Sequence, residues 1–191
     1  ELLSRTQHFH DASLFFDDDG RVYLYWGCGN IEPLWGTELD PKTMTPIGER
    51  VALFDQNKDV HGWERFHFPN KEPEKRIFPM NIIMAFLNRK GRPYMEGAYM
   101  NKWNGKYYLQ YAAPGTEYHV YGDGYYVGDS PLGPFTFMPN TPFSLKPSGF
   151  ITGAGHGSTI EDKHGNLWHA ATMRISVNEA FERRVGLFPA K

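Results

Sequence analysis

The chain carries a single cysteine, Cys28, so no internal disulfide framework can hold it together. No apolar run approaches the roughly 20 residues that a membrane-spanning helix requires, and a membrane partner is not expected. No leader pattern follows Glu1, but a chain that starts without Met reads as a piece of a longer protein, so this absence says little. A basic stripe is missing too. The 20 Lys and Arg are interspersed among 22 Asp and Glu for a formal net charge of −2, and nucleic acid is not an expected partner. What the sequence does have is aromatic residues (16%), 20 glycines and 14 prolines. That profile suits short strands, many turns, and aromatic surfaces able to stack on sugars. With 191 residues there is room for one domain with a sizeable core.

Three segments share one frame. "DASLFFDDDGRVYLYW" starts at Asp11, "EGAYMNKWNGKYYLQY" at Glu96 and "HGSTIEDKHGNLWHAA" at His156. Each first residue stands nine positions before a turn glycine, namely Gly20, Gly105 and Gly165. Ala12, Gly97 or Gly157 follows it, then a strand-like stretch, a polar turn and an aromatic-rich strand. The acidic run Asp17 to Asp19 lacks the spaced ligands of an EF-hand and reads as turn chemistry. Further strands follow each hairpin, giving roughly four strands per unit of about 60 residues, the pattern of a propeller blade. The expected fold is all-β: about three blades of a β-propeller, with units near residues 10–60, 95–145 and 155–191. An irregular insertion spans about 55–95, with an apolar run at Ile82 to Leu87 that suits a short helix or a strand. Three units are too few to close a ring, so a first blade or blades should precede Glu1.

The first strand of a propeller blade lies next to the axis, so Asp11, Glu96 and His156 should converge on one mouth of the channel. Two carboxylates and an imidazole gathered there are costly to desolvate unless paired or bound to something. Glu96 suits a general acid with a raised pKa, or a plain strand-entry carboxylate. Asp11 suits a base, a carboxylate that orients a partner, or a turn cap. His156, between glycines, suits a metal ligand or a histidine hydrogen-bonded in place. His8 and His10 share one strand face, but an HxH pair without a third ligand is a weak zinc signal. His61 and Trp63 in "HGWERF" combine an aromatic platform with polar donors, fit either for sugar binding or for pinning a loop. Arg183 and Arg184 in "FERR" suit substrate hydroxyls or a solvated surface.

Taken together, "HDASLFFDDDGRVYLYWG", "EGAYMNKWNGKYYLQYAAPGTEY" and "GAGHGSTIEDKHGNLWH" resemble glycoside hydrolase family 43 over nearly the whole chain outside the insertion. The resemblance implies a five-bladed propeller that hydrolyses O-glycosidic bonds of polysaccharide side chains or oligosaccharides, as xylosidases and arabinofuranosidases do, with inversion. It implies that Glu96 is the general acid and Asp11 the carboxylate that orients it and keeps its pKa high. His156 matches a histidine near a central calcium ion. "GTEYH" matches a pocket loop, so Glu117 and His119 are expected to line the site. Ala12 stands where the family often has proline, and no segment matches the blade with the base Asp, which is expected ahead of Glu1. The substrate class goes with a secreted or periplasmic location for the full-length protein. The alternative is a non-catalytic carbohydrate-binding propeller, which would need the aromatic and polar pocket but not an acid at Glu96.

Overall fold

Twelve strands among the described residues of this computed structural model form three antiparallel sheets. The structure describes residues 9–29, 32–57, 60–64, 93–175, 179 and 181–190. In the first sheet β1 (Ser13–Phe16), β2 (Val22–Trp26), β3 (Leu34–Leu39) and β4 (Pro46–Phe54) follow one another in order. The second holds β5 (Glu96–Trp103), β6 (Lys106–Ala113), β7 (Gly122–Gly128) and β8 (Phe135–Phe137), with the short β9 (Ser144–Leu145) also paired to β7. In the third, β10 (Thr152–Glu161), β11 (Leu167–Arg174) and β12 (Arg183–Ala190) are again in chain order. The only helical element among the described residues is a 3-10 turn at Gly62–Glu64. The apolar run Ile82 to Leu87 lies outside the described residues.

The shared frame of the sequence is a shared hairpin. Gly20, Gly105 and Gly165 take φ of 85°, 73° and 82°, the left-handed region where a Cβ is disfavoured. Asn104 joins Gly105 there, at φ 50°. Two positive φ values in a two-residue loop give a turn whose twist matches paired strands, and the register runs from Trp103↔Lys106 up to Glu96↔Ala112.

The first two sheets meet through aromatic residues. Tyr23, Tyr25 and Leu34 are buried in one cluster with Met95, Leu109 and Tyr111. Phe54 stacks on Tyr126 at 3.9 Å, and the Tyr25 hydroxyl donates to the Pro131 carbonyl at 2.9 Å. Each large apolar side chain so buried stabilises by about 1.5–3 kcal/mol. The acidic turn does more than turn. Asp19 caps Arg21, as turn chemistry predicts, but Asp17 is buried and clasps the second sheet. It accepts Lys102 Nζ at 2.5 Å and the Tyr107 hydroxyl at 2.6 Å.

β10 lies across β5, β6 and β7 and joins the third sheet to the second. Asn101 Nδ2 donates to the Thr159 carbonyl at 2.7 Å, and Ser144 Oγ donates to the Ala154 carbonyl at 2.8 Å. The β10–β11 register shifts between Gly153 and Gly155 and again between Gly155 and Ser158. Such bulges re-aim a side chain out of the ladder. Here the re-aimed residue is His156.

Candidate active site

A backbone bridge brings the first and second sheets together at their axial ends. Gly29 and Met95 exchange N–H to carbonyl bonds, both at 3.0 Å. Cys28 and Glu96 flank that bridge and are drawn into contact, Cys28 Sγ lying 3.6 Å from Glu96 Oε2. Asp11 enters from the residues ahead of β1 with φ 54°. Its carboxylate, the Cys28 sulfur and a Glu96 oxygen lie within 4.8 Å of one another. His156, at φ 52° in the bulged stretch of β10, places Nδ1 3.8 Å from Glu96 Oε1. The three frame-leading residues therefore do converge, although their local settings differ. Asp11 precedes its strand, Glu96 opens β5, and His156 lies within β10.

The fit of these groups depends on Gly97. It follows Glu96 at φ 65°, and a Cβ there would stand 2.9 Å from His156 Cδ2. The missing side chain is what lets the imidazole lie flat against the strand beside Glu96.

The electrostatics divide the carboxylates differently from the expectation that Asp11 keeps Glu96 high. Burial works to raise Glu96, but the His156 imidazole and the Tyr121 hydroxyl outweigh it and hold this carboxyl below its usual range. The Tyr121 hydroxyl donates directly to Glu96 Oε1. Asp11 is the raised member, through burial, with the like charge of Glu96 adding to it and His156 opposing it. His156 is raised in turn, chiefly by its bond to Glu96. Glu96 has His156 and Tyr121 on its side, whereas Asp11 has only the weak Cys28 thiol donor, which is the physical reason for this division. Burial pushes the Cys28 thiol up to about 12, so it stands beside the carboxylates as a neutral thiol. Its sulfur lies 2.7 Å from the Tyr94 hydroxyl.

Behind His156 is a second buried pair. Asp123 accepts from the Gly157 backbone N–H at 2.9 Å and lies 3.0 Å from His169 Nε2. Burial raises its carboxyl, against the pull of His169. This pair fixes the backbone one residue past His156.

The remaining expected residues divide. His119 Nδ1 lies 2.9 Å from Thr152 Oγ1, and Nε2 lies 3.2 Å from Arg174 Nη1. Since arginine can only donate, Nε2 is the acceptor. Arg174 also donates to the Glu117 carbonyl at 3.3 Å, so Glu117 and His119 sit in one loop held by a buried arginine. Arg183 reaches the same loop through Thr116 Oγ1 at 3.1 Å, whereas Arg184 bonds the Arg183 carbonyl and Glu182 in solvent. His61 and Trp63, expected on sugar, are engaged elsewhere. His61 bonds the buried Glu64 at 2.9 Å and stacks on Phe137 at 3.6 Å, and Trp63 packs on Tyr111 at 5.4 Å. Their segment is pinned to the second sheet, the loop-pinning alternative for this cluster. Glu64 in turn offers its carbonyl to Tyr94 N–H at 3.1 Å, which fixes the approach to Glu96. His8 lies outside the described residues.

Calcium takes about 6 to 8 oxygen ligands. Among the described residues, the group of potential ligand atoms is Asp11, Cys28 and Glu96, one of them a thiol, and His156 is not in it. These residues do not make a calcium shell.

Sequence alone missed Tyr121, Tyr94 and Arg174. Tyr121 is one of 11 tyrosines, with no motif to mark it. Arg174 carried a faint signal, a charge closing a largely apolar strand.

The chain is similar in sequence and fold to known proteins. A beta-xylosidase of Xylanibacter ruminicola is 27% identical over 140 residues, covering 70% of this chain and 41% of that protein. The xylosidase/arabinosidase 43A of Humicola insolens is 32% identical over 147 residues, covering 66% of this chain and 40% of that protein. The chain thus spans about two fifths of the length of these relatives. The crystal structure of a thermostable family-43 glycoside hydrolase superposes with a TM-score of 0.73 at 23% identity, over 98% of this chain and 56% of that one. The fold is therefore that of a propeller represented in part, as three consecutive blades. The profile of glycosyl hydrolases family 43 matches residues 3–189, which takes in all three hairpins and every strand, and the chain belongs to that family.

Proposed function

We propose that this chain forms part of the catalytic domain of an inverting glycosidase acting on xylose- or arabinose-containing oligosaccharides or polysaccharide side chains. In this proposal Glu96 is the general acid and Asp11 its positioning partner. The observation that carries it is the closeness of two unequal carboxyl groups in a half-buried axial site. Acid and base of an inverting enzyme stand about 6.5–9.5 Å apart, to admit the attacking water. Asp11 and Glu96 offer oxygens within 4.8 Å of each other, which suits an acid and its positioning partner better than an acid and its base. The water-activating base is assigned to a carboxylate outside these three sheets.

The proton inventory supports this division of labour. Asp11, the raised member, faces Glu96 with carboxyl oxygens within 4.8 Å. A bound sugar excludes water and raises the cost of charge on both groups. Glu96 takes up a proton under this desolvation as the sugar binds, and gives it to the glycosidic oxygen when the bond to the anomeric carbon breaks. Tyr121 and His156 hold the resulting Glu96 carboxylate. The sugar class follows from the relatives, whose names carry xylosidase and arabinosidase.

The test is Glu96→Gln in the intact protein. Turnover should fall by about 10²–10⁴-fold on unactivated oligosaccharides and far less on aryl glycosides, whose leaving group needs little protonation. NMR of the first-formed sugar should show the inverted anomer. Sugar binding with no hydrolysis of either substrate class by wild-type protein would favour the carbohydrate-binding propeller, and equal losses on both classes would remove Glu96 from the acid role.

A further inference from the structure

Between the second and third sheets, away from Glu96, lies an open cleft of about 380 Å³. It faces the far end of β5. Glu96 opens that strand and Trp103 closes it, seven residue steps on, or roughly 23 Å at the rise of an extended chain. Trp103 stands at the rim with 57% of its surface exposed. Tyr108, Tyr125 and Phe143 continue the aromatic lining. Tyr108 and Tyr125 lie 6.2 Å apart, and Phe143 meets Tyr125 edge-on at 5.6 Å.

The polar lining contains an anomaly. Gln110 is only 4% exposed, yet among the described residues its Nε2 has no hydrogen-bond partner. Asn101 Oδ1 is in the same condition. Its amide orientation is fixed, because Nδ2 already donates to the Thr159 carbonyl. Gln110 pairs with Tyr99 across β5 and β6, so Asn101 is its diagonal neighbour on one face of the sheet. Buried polar atoms are normally satisfied. Here a donor and an acceptor without partners lie closed off from solvent in the wall of a cleft lined by aromatic rings.

We propose that this cleft is a second carbohydrate-binding site, which takes a neutral sugar ring of an oligosaccharide at a distance from the cleavage site and so rests on the glycosidase function above. A hydroxyl both donates and accepts, so ring hydroxyls can serve Gln110 and Asn101 once their amide ends turn out of the wall toward the cleft. The apolar face of the ring covers the aromatic rings. The one cation in the lining, Lys102, is committed to Asp17 and Asp18 across the other interface, so nothing in the cleft calls for an anionic ligand. The volume lies within the ~300–1,000 Å³ of small-molecule sites.

The test uses the intact protein carrying Glu96→Gln, titrated with xylotetraose and, separately, arabinotetraose, and followed by NMR and tryptophan fluorescence. Two binding events are expected for one of these sugars. Trp103→Ala and Gln110→Leu should each weaken the second event at least tenfold. In the Glu96 background both variants should keep wild-type turnover of aryl glycosides. Gln110→Leu removes an unpaired amide at similar volume, so its fold should survive; a retained melting temperature checks this. Affinity unchanged in both variants, or no second event with either sugar, overturns the proposal. Trp103-dependent binding without aryl glycoside turnover in wild-type protein would keep the cleft and refute the glycosidase function. Turnover without Trp103-dependent binding would do the reverse.

Discussion

Gly97→Ala is the substitution that bears most directly on the axial site. Two costs can be worked from the structure. At φ 65° an alanine sits in the left-handed region, which costs about 1–2 kcal/mol. Its Cβ would also stand 2.9, 3.1 and 3.2 Å from His156 Cδ2, Cγ and Nε2. Overpacking of this kind costs about 1–3 kcal/mol, and the lower part of that range applies because the His156 side chain is 38% exposed and can swing aside. The sum is about 2–4 kcal/mol. For a chain of this size each kcal/mol lowers Tm by about 2–4 °C, so a fall on the order of 10 °C is expected in a thermal melt. The double variant Gly97→Ala/His156→Ala removes the clash but not the backbone strain, and should recover about 1 kcal/mol over the sum of the single changes. There is also a signature in activity. As the imidazole swings away, Glu96 loses its strongest downward influence and its pKa rises. An acid must be protonated to act, so the alkaline limb of kcat/KM should move to higher pH. An unchanged melt together with an unchanged pH profile would refute the whole account of Gly97.

Two further outcomes follow from buried groups. Tyr111→Phe removes the hydroxyl that donates to the buried Glu64 at 2.5 Å, and should cost about 1–3 kcal/mol in urea unfolding; an unchanged midpoint would show that Glu64 is satisfied without it. Cys28, with its thiol pushed up to about 12, should react with iodoacetamide at neutral pH far more slowly than a free cysteine; rapid alkylation of the folded protein would show that burial does not hold the proton there.

The parts of the fold that sequence revealed are those that local chemistry fixes. "DDDG", "NG" and "KHG" each demand a turn, and the constant step from Asp11, Glu96 and His156 to those turns placed three hairpins without knowledge of any long-range contact. The propeller follows from repetition, and convergence of the leading residues follows from the propeller. Contacts made at a distance were not legible. Asp17 reads as one of three turn aspartates, and its clasp on Lys102 depends on a partner 85 positions away. His61 and Trp63 form an aromatic, polar cluster that reads as a sugar platform. Only burial of Glu64, with Tyr111 donating to it, shows that the cluster anchors a segment. The division of charge between Asp11 and Glu96 was hidden for the same reason. It depends on Tyr121, which lies 25 positions from Glu96 and carries no motif.

The repeat also explains where the strain lies. Of the five non-glycine residues with positive φ among the described residues, Asp11 and His156 belong to the axial site and Ala154 to the bulged stretch that aims His156. Each such position costs of order 1–3 kcal/mol and persists only where surrounding structure over-determines it. Here that surround can be named. The Gly29–Met95 bridge holds Glu96 at the junction of the first two sheets, the Asp123–His169 pair holds Gly157, and the absent Cβ of Gly97 leaves His156 its place. An unmodified repeat would present three similar side chains at three similar angles. Two carboxyl groups shifted in opposite directions need unequal neighbours, and departures from the repeat supply them. Glu96 opens a regular strand and collects donors, whereas Asp11 is turned out of strand geometry and finds burial and a like charge. The inequality of the pair is therefore a property of how each blade breaks its own pattern at the axis.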